Sequence, residues 1–283
     1  MNKLIALTLF FGVAFISFGQ VQVPALSPEA ELEQTIGLTE VEIEYSRPSV
    51  RDREIFGDLI PFDEVWRTGA NKNTTISFSS SVKIQDQSLE AGEYAVFTKP
   101  SNEAWMIYFY KDTDNWGTPE KWDEEKVAAS VKVEVLKTSS LVETLTMQFE
   151  NVGTKDADLV ISWENTRLEL KLEFPTDELT QKSIDETMSQ DSITERDYYG
   201  AASYYLNSKK NLKEALMFID KAIGIRGVEA YWYVRKKALI EYELGMKDQA
   251  IKSATVSLKS AKEAGNKGYV KMNEESIEKW KSE

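Results

Sequence analysis

Apolar and polar residues alternate along the first half of this chain and settle into a helical period along the second. From Thr39 to about Phe174 the inward candidates lie two apart: Val41, Ile43 and Tyr45; Val131, Val133 and Val135; Leu145, Met147 and Phe149; Leu168, Leu170, Leu172 and Phe174. A period of two places such a set on one face of a strand and leaves the other face polar. Shorter runs at Thr74–Phe78, Val82–Ile84, Ser88–Thr98 and Trp105–Tyr110 read as further strands. Turn formers separate them at Gln85-Asp86, Ala91-Gly92, Lys99–Asn102, Asn151–Gly153 and Glu164-Asn165. About nine short strands of this kind predict antiparallel sheets packed as a β-sandwich, or alternatively a flattened barrel. This strand domain covers residues 20–175. Pro119–Lys126 reads as a short helix, because proline suits a first turn.

From Thr176 the period becomes helical, which makes the chain an α+β, multidomain protein. Residues 176–194 form a linker whose Asp177–Gln190 stretch is polar and amphipathic. Two helix pairs follow over residues 195–283: Glu195–Asn207 with Leu212–Ile225, and Val228–Leu244 with Lys247–Ala264. A last helix, Tyr269–Lys281, closes the end. The small and large residues Tyr199, Ala202, Leu206, Leu212, Ala215, Ile219 and Ala222 resemble a tetratricopeptide repeat. So do Ala238, Tyr242, Leu244-Gly245, Ala250, Ala254 and Leu258, although Val234 stands where that repeat has tryptophan and neither copy ends in proline. Two repeats and a closing helix make a minimal array, expected to lean on the strand domain. Tyr204, Tyr205, Tyr231, Trp232 and Tyr233 gather in the first helix of each pair. The resemblance implies that these helices line a concave side suited to a peptide or another envelope protein; filling a joint with the strand domain explains the aromatics equally well.

Residues 1–19 have the three parts of an export signal: Lys3, the apolar run Leu4–Phe18, and small residues at Ser17 and Gly19 before a cut at Gln20. The run is short for a bilayer, which needs about 20 apolar residues, and no later stretch resembles a span. The expectation is an exported, soluble protein, periplasmic or released. Without residues 1–19 the chain holds 33 basic and 47 acidic residues. That excess of negative charge argues against nucleic acid as a partner. The chain contains no cysteine and no histidine. Disulfides, thiol nucleophiles, histidine-based triads and ordinary zinc or copper sites are therefore excluded. No cofactor and no metal site is expected, and the loss of histidine weighs against an enzyme, because neutral-pH proton transfer leans on it.

Arg47, Arg51, Arg53 and Arg67 are half of the eight arginines in the chain, and no lysine lies between Lys3 and Lys72. A block that uses only the planar, forked donor points to directed hydrogen bonds rather than to solubility. One reading is a rigid loop aiming Arg47, Arg67 and Asn71, with Arg51 and Arg53 nearby, into a pocket walled by Trp66 and Tyr45 that accepts a small anion or a glycan. The other is that the guanidiniums brace the loop through its carbonyls and the nearby Asp52, Glu54, Asp58, Asp63 and Glu64. Phe56 and Leu59 are expected to pin the loop to the core, and Gly69 or Asn71 to take a positive φ.

The segments Ser27-Pro28, Gln34–Gly37, Val41–Pro48, Arg51, Arg53, Ile55–Gly57, Leu59–Pro61, Val65–Asn71, Ala91–Tyr94 and Trp116-Gly117 resemble a secreted family of Bacteroidetes-type bacteria known as domain of unknown function 2911. The resemblance runs from about Ala25 to Lys171 and implies an exported β-rich domain, sometimes followed by helical repeats. It implies no activity. Asp112–Gly117 opens like a calcium loop, but Trp116 sits at a ligand position and Asp123 replaces the closing glutamate. A hairpin turn with Trp116 packed down is the expectation there. Glu42 with Glu44, and Asp156 with Asp158, read as solvated strand faces. Asp191–Ile193 is spelled like a short O-glycosylation acceptor and Asn73–Thr75 like a sequon. Two functional readings result: a non-enzymatic interaction module working through its helices, or an anion or carbohydrate binder, or a histidine-free enzyme, using residues 47–71.

Overall fold

The computed structural model describes residues 22–283, so the expected export signal lies outside the described residues. The chain divides into two compact units, one ending at Thr176 and the other running from Asp177 to Glu283.

Among its described residues the first unit contains ten strands: β1 (Glu29–Ile36), β2 (Thr39–Ser46), β3 (Thr74–Phe78), β4 (Val82–Ile84), β5 (Gln87–Leu89), β6 (Gly92–Lys99), β7 (Ala104–Tyr110), β8 (Val127–Glu134), β9 (Leu136–Glu150) and β10 (Asp156–Glu173). Six pair antiparallel in the order β1-β2-β3-β6-β7-β8, and four in the order β5-β4-β10-β9. The period-two sets foreseen from sequence face one shared core. Val41, Ile43 and Tyr45 of one sheet meet Leu145, Met147, Ile161, Trp163, Leu168 and Leu170 of the other. That is the β-sandwich. A smaller cluster of Ala95, Phe97 and Tyr110 lies on the outer side of β6 and β7, with Trp122 stacked on Tyr110 at 4.6 Å and edge-on to Phe97 at 5.5 Å. Trp122 is why β6 is buried on both faces.

Three details depart from the sequence reading. Strand β1 was unforeseen: it alternates glutamate with Ala30, Leu32, Gln34 and Ile36, and it joins β2 through a tight turn that pairs Ile36 with Thr39. The run Ser88–Thr98 splits, because β5 ends at Leu89 in the smaller sheet and β6 starts at Gly92 in the larger. Of Pro119–Lys126 only Glu124–Lys126 forms a helical turn, a 3-10 turn capped by the carboxylate of Asp123.

The second unit has six helices: α1 (Thr176–Met188), α2 (Glu195–Ser208), α3 (Leu212–Arg226), α4 (Tyr231–Glu243), α5 (Lys247–Glu263) and α6 (Lys267–Ser282). Thr194 and Asp197 form a reciprocal capping box that starts α2. The repeat positions Ala202, Ala215, Ala222, Ala238, Ala250 and Ala254 are fully buried where helices approach one another. The segment expected as a linker is helical, and its Ile184 joins the core of α2 and α3. Among the described residues no helix is long and apolar enough to cross a membrane.

Candidate functional site

After Ser46 the chain leaves the larger sheet and attaches to the smaller one. The Arg47 amide donates to Pro28 O at 2.8 Å, Ser49 pairs with Thr144, and the Val50 amide donates to Glu143 O at 2.7 Å. Ile55 is then fully buried and Phe56 sets its ring edge-on to Trp66, Trp105 and Trp163 at 6.2, 4.7 and 5.8 Å. Leu59 is 42 % exposed, so Ile55 and Phe56 pin the loop and Leu59 does not. Trp66 exchanges backbone hydrogen bonds with Thr98 and donates its indole N–H to Gly69 O at 3.0 Å. Asn71 takes a positive φ of 59°, as does Thr68 at 56°. Gly69 serves a different need, since a Cβ there would lie 3.0 Å from Ser46 O. The segment 47–71 is a built part of the sandwich.

Three of its four arginines brace it. Arg47 donates from Nε to Leu145 O at 2.9 Å and from Nη2 to the Thr146 hydroxyl at 2.8 Å. Arg51 donates to Leu26 O at 2.6 Å, and Arg53 to Val50 O and Ser49 O at 3.0 and 2.7 Å. These partners are carbonyls and a hydroxyl rather than the neighbouring carboxylates, because loop carbonyls turned away from a ladder need donors. Asn71 likewise donates to Ser27 O and the Ser46 hydroxyl.

Arg67 differs. It is half-buried, its Nε has no hydrogen-bond partner, and burial is the one influence that shifts its guanidinium, lowering its pKa. No acceptor or carboxylate among the described residues offsets that cost. Arg67 lines a cavity of about 370 Å³ together with Arg51, Arg53, Leu59, Trp66 and Trp163. The two indoles stack at 5.7 Å. Among the described residues no acidic side chain lines this cavity. The composition differs from the expected pocket: Arg47 and Asn71 are not among its lining residues, and Trp163 takes the place assigned to Tyr45. The Tyr45 hydroxyl is instead inside the sandwich, accepting from the Met147 amide at 3.0 Å. Trp163 was visible only as one more inward position after Leu159 and Ile161.

The Asp112–Thr118 loop lies beside Arg67. Asp112 and Asp114 pair with Lys126 and Lys72 at 2.8 and 3.2 Å, so neither is gathered as a calcium ligand. Trp116 is 83 % exposed, not packed down as the sequence led us to expect. Trp122, not Trp116, packs on the outer cluster of Phe97 and Tyr110, and the buried Gly117 that follows Trp116 has a φ of +102°. An added Cβ at Gly117 would lie 3.6 Å from Arg67 Nη1.

The helix aromatics are largely engaged within their own unit. Tyr205 is 1 % exposed and hydrogen-bonded to Gln181, which makes it a core residue and not a contact for a partner. The Tyr204 hydroxyl donates to Asp177, and burial together with that bond pushes its pKa up to about 12. Tyr231 accepts from Asn266 at 2.9 Å and meets Trp232 edge-on at 5.0 Å; both are half-buried. Elsewhere, the carboxylates of Glu31, Glu33 and Glu42 come within 4.8 Å of one another on the outer face of β1 and β2.

The arginine cavity thus has donors, apolar walls and no proton acceptor of its own. It can hold an anion and lacks a carboxylate pair for acid–base work. No curated protein and no solved structure matches the chain. The family model described as "Protein of unknown function (DUF2911)" matches residues 27–172, more than half of the chain and the whole of this site from Ser27 onward, and the chain belongs to that family.

Proposed function

We propose that the strand unit is a binding module for a small anion that carries an apolar part, within an exported, non-catalytic protein. Arg67 is the primary anion contact, Arg51 and Arg53 add positive potential, and Leu59 and Ile60, which line the same cavity, receive the apolar part. The observation that carries this reading is a half-buried arginine whose Nε has no acceptor among the described residues, lining a cavity whose described lining holds two further arginines and no acid. A guanidinium bonded by a carboxylate or phosphate recovers the solvation it has lost, and such charge-assisted bonds are worth about 1.5–3 kcal/mol. The cavity volume sits at the lower end of small-molecule sites, which run from about 300 to 1,000 Å³. Of the two readings drawn from the sequence, this favours the anion binder over the helix-borne interaction module.

Thermal unfolding in the presence of acetate, citrate, phosphate and sulfate tests it. A ligand at about 100 times its Kd stabilises the fold by about 2.7 kcal/mol, a shift of several degrees. The expected result is such a shift in the wild type and none in Arg67→Ala. Equal shifts in both proteins, or none in either, would overturn the assignment.

A further inference from the structure

We propose that Trp116 is the stacking platform of this site and that its ligand is an acidic saccharide, a sugar ring bearing a carboxylate, sulfate or phosphate. The proposal rests on Arg67 as the anion contact and adds the class of molecule that brings the anion.

Trp116 is the most exposed of the large apolar side chains among the described residues, at 83 %. An indole left in water on a mobile tip would mean little, but this loop is fixed on both sides. The Asn73 amide donates to Asn115 O at 3.0 Å, and the Asn115 amide donates to the Asn73 side chain at 2.8 Å. The Thr118 hydroxyl donates to Val65 O at 3.2 Å. All three bonds reach the strap that carries Trp66 and Arg67. The residue after Trp116 is the buried Gly117, where a Cβ would come within 3.6 Å of Arg67 Nη1, an ordinary contact distance. With Cα atoms 3.8 Å apart along the chain, the base of Trp116 lies roughly 9 Å or less from that nitrogen. The fold therefore displays an exposed indole on a fixed loop that abuts an unsatisfied guanidinium.

The surroundings of the indole select the ligand. An aryl acid is best held in an enclosed apolar slot that covers both of its faces. Trp116 instead stands open to water in a loop of polar side chains, Thr113, Asp114, Asn115 and Thr118. A sugar ring matches this arrangement, because one face presents C–H groups to an aromatic ring while its edge hydroxyls stay with water and polar side chains. The anion on the ring supplies what Arg67 lacks.

Calorimetric titration of the full chain tests the proposal with tri-galacturonate, a sulfated oligosaccharide, glucose 6-phosphate, an uncharged trisaccharide, phthalate and inorganic phosphate. At least one acidic saccharide is expected to bind about tenfold tighter than phosphate and to change tryptophan emission. Trp116→Ala should remove that margin and leave phosphate binding unchanged, while Arg67→Ala removes both. If every acidic saccharide binds no tighter than phosphate, or if Trp116→Ala changes nothing, the platform is wrong and the anion site stands. Preference for phthalate that depends on Trp116 overturns the saccharide class. Tight binding of the uncharged trisaccharide unaffected by Arg67→Ala overturns the pairing with Arg67. Absence of binding to all six probes sinks this proposal and the anion site together.

Discussion

A guanidinium withdrawn from water without an acceptor raises the free energy of the folded chain, and Arg67 is in that condition. Its replacement by methionine keeps the stem that packs in the cavity and removes the uncompensated donors. Arg67→Met is therefore expected to raise the stability of the unliganded protein by about 1 kcal/mol, read as a higher urea midpoint with an unchanged slope, while abolishing anion binding. A lower midpoint would mean that Arg67 is a brace like its neighbours. Sequence could mark the arginine block but could not sort its members. The acceptors of Arg47 lie on Leu145 and Thr146, 98 and 99 positions away, and only the pairing of two sheets brings them together. Trp116 failed for a different reason: the sequence marked it and Trp122 alike as large and apolar, and contained no sign of which would pack on β6 and β7 and which would stay exposed.

Strand β1 shows how a whole element escapes a search for apolar alternation. Its outward positions are Glu29, Glu31 and Glu33, and its inward ones are modest in size. It persists as an edge strand, where outward charge also blocks pairing with another chain. The helices and the central strands were legible within a few residues because their apolar positions repeat without interruption. On the glutamate face, Glu31 pairs across from Glu44 and Glu33 from Glu42. Burial first, then the hydrogen bond and charge of Glu31, with Glu44 and Glu33 after it, hold the Glu42 carboxyl above the usual carboxylate range. A raised value means that the folded state favours the protonated form. The corresponding stability is present below the ordinary carboxylate pKa and is lost as pH rises through the raised one. Glu42→Gln should accordingly stabilise the protein at neutral pH, by less than about 1 kcal/mol because the site is solvent-screened. The gain should vanish when denaturation is repeated at a pH below the carboxylate range. A gain that persists in acid would assign the effect to packing.

At the scale of the molecule, the sandwich core draws on residues up to Phe174 and the helical cores on residues from Ile184 onward, so each core is complete within its own unit. The cavity is lined by residues between Leu26 and Trp163. At the boundary, Thr176 donates its hydroxyl to Thr154 O at 2.6 Å and fills the space beside Gly37, where no Cβ fits. A chain cut after Thr176 keeps that bond, whereas a chain cut after Phe174 loses it and leaves a hollow against the β1–β2 turn. The longer fragment, beginning at Gln22, is expected to fold and to bind the anion within about twofold of the full-length affinity, since it holds every residue that lines the cavity. The shorter fragment should melt several degrees lower, because a buried hydrogen bond and its packing are missing. Calorimetric titration and thermal melts of the two fragments measure both effects. Loss of binding in the longer fragment would mean that the helical unit contributes to the site, and the assignment to residues 26–163 would then fail.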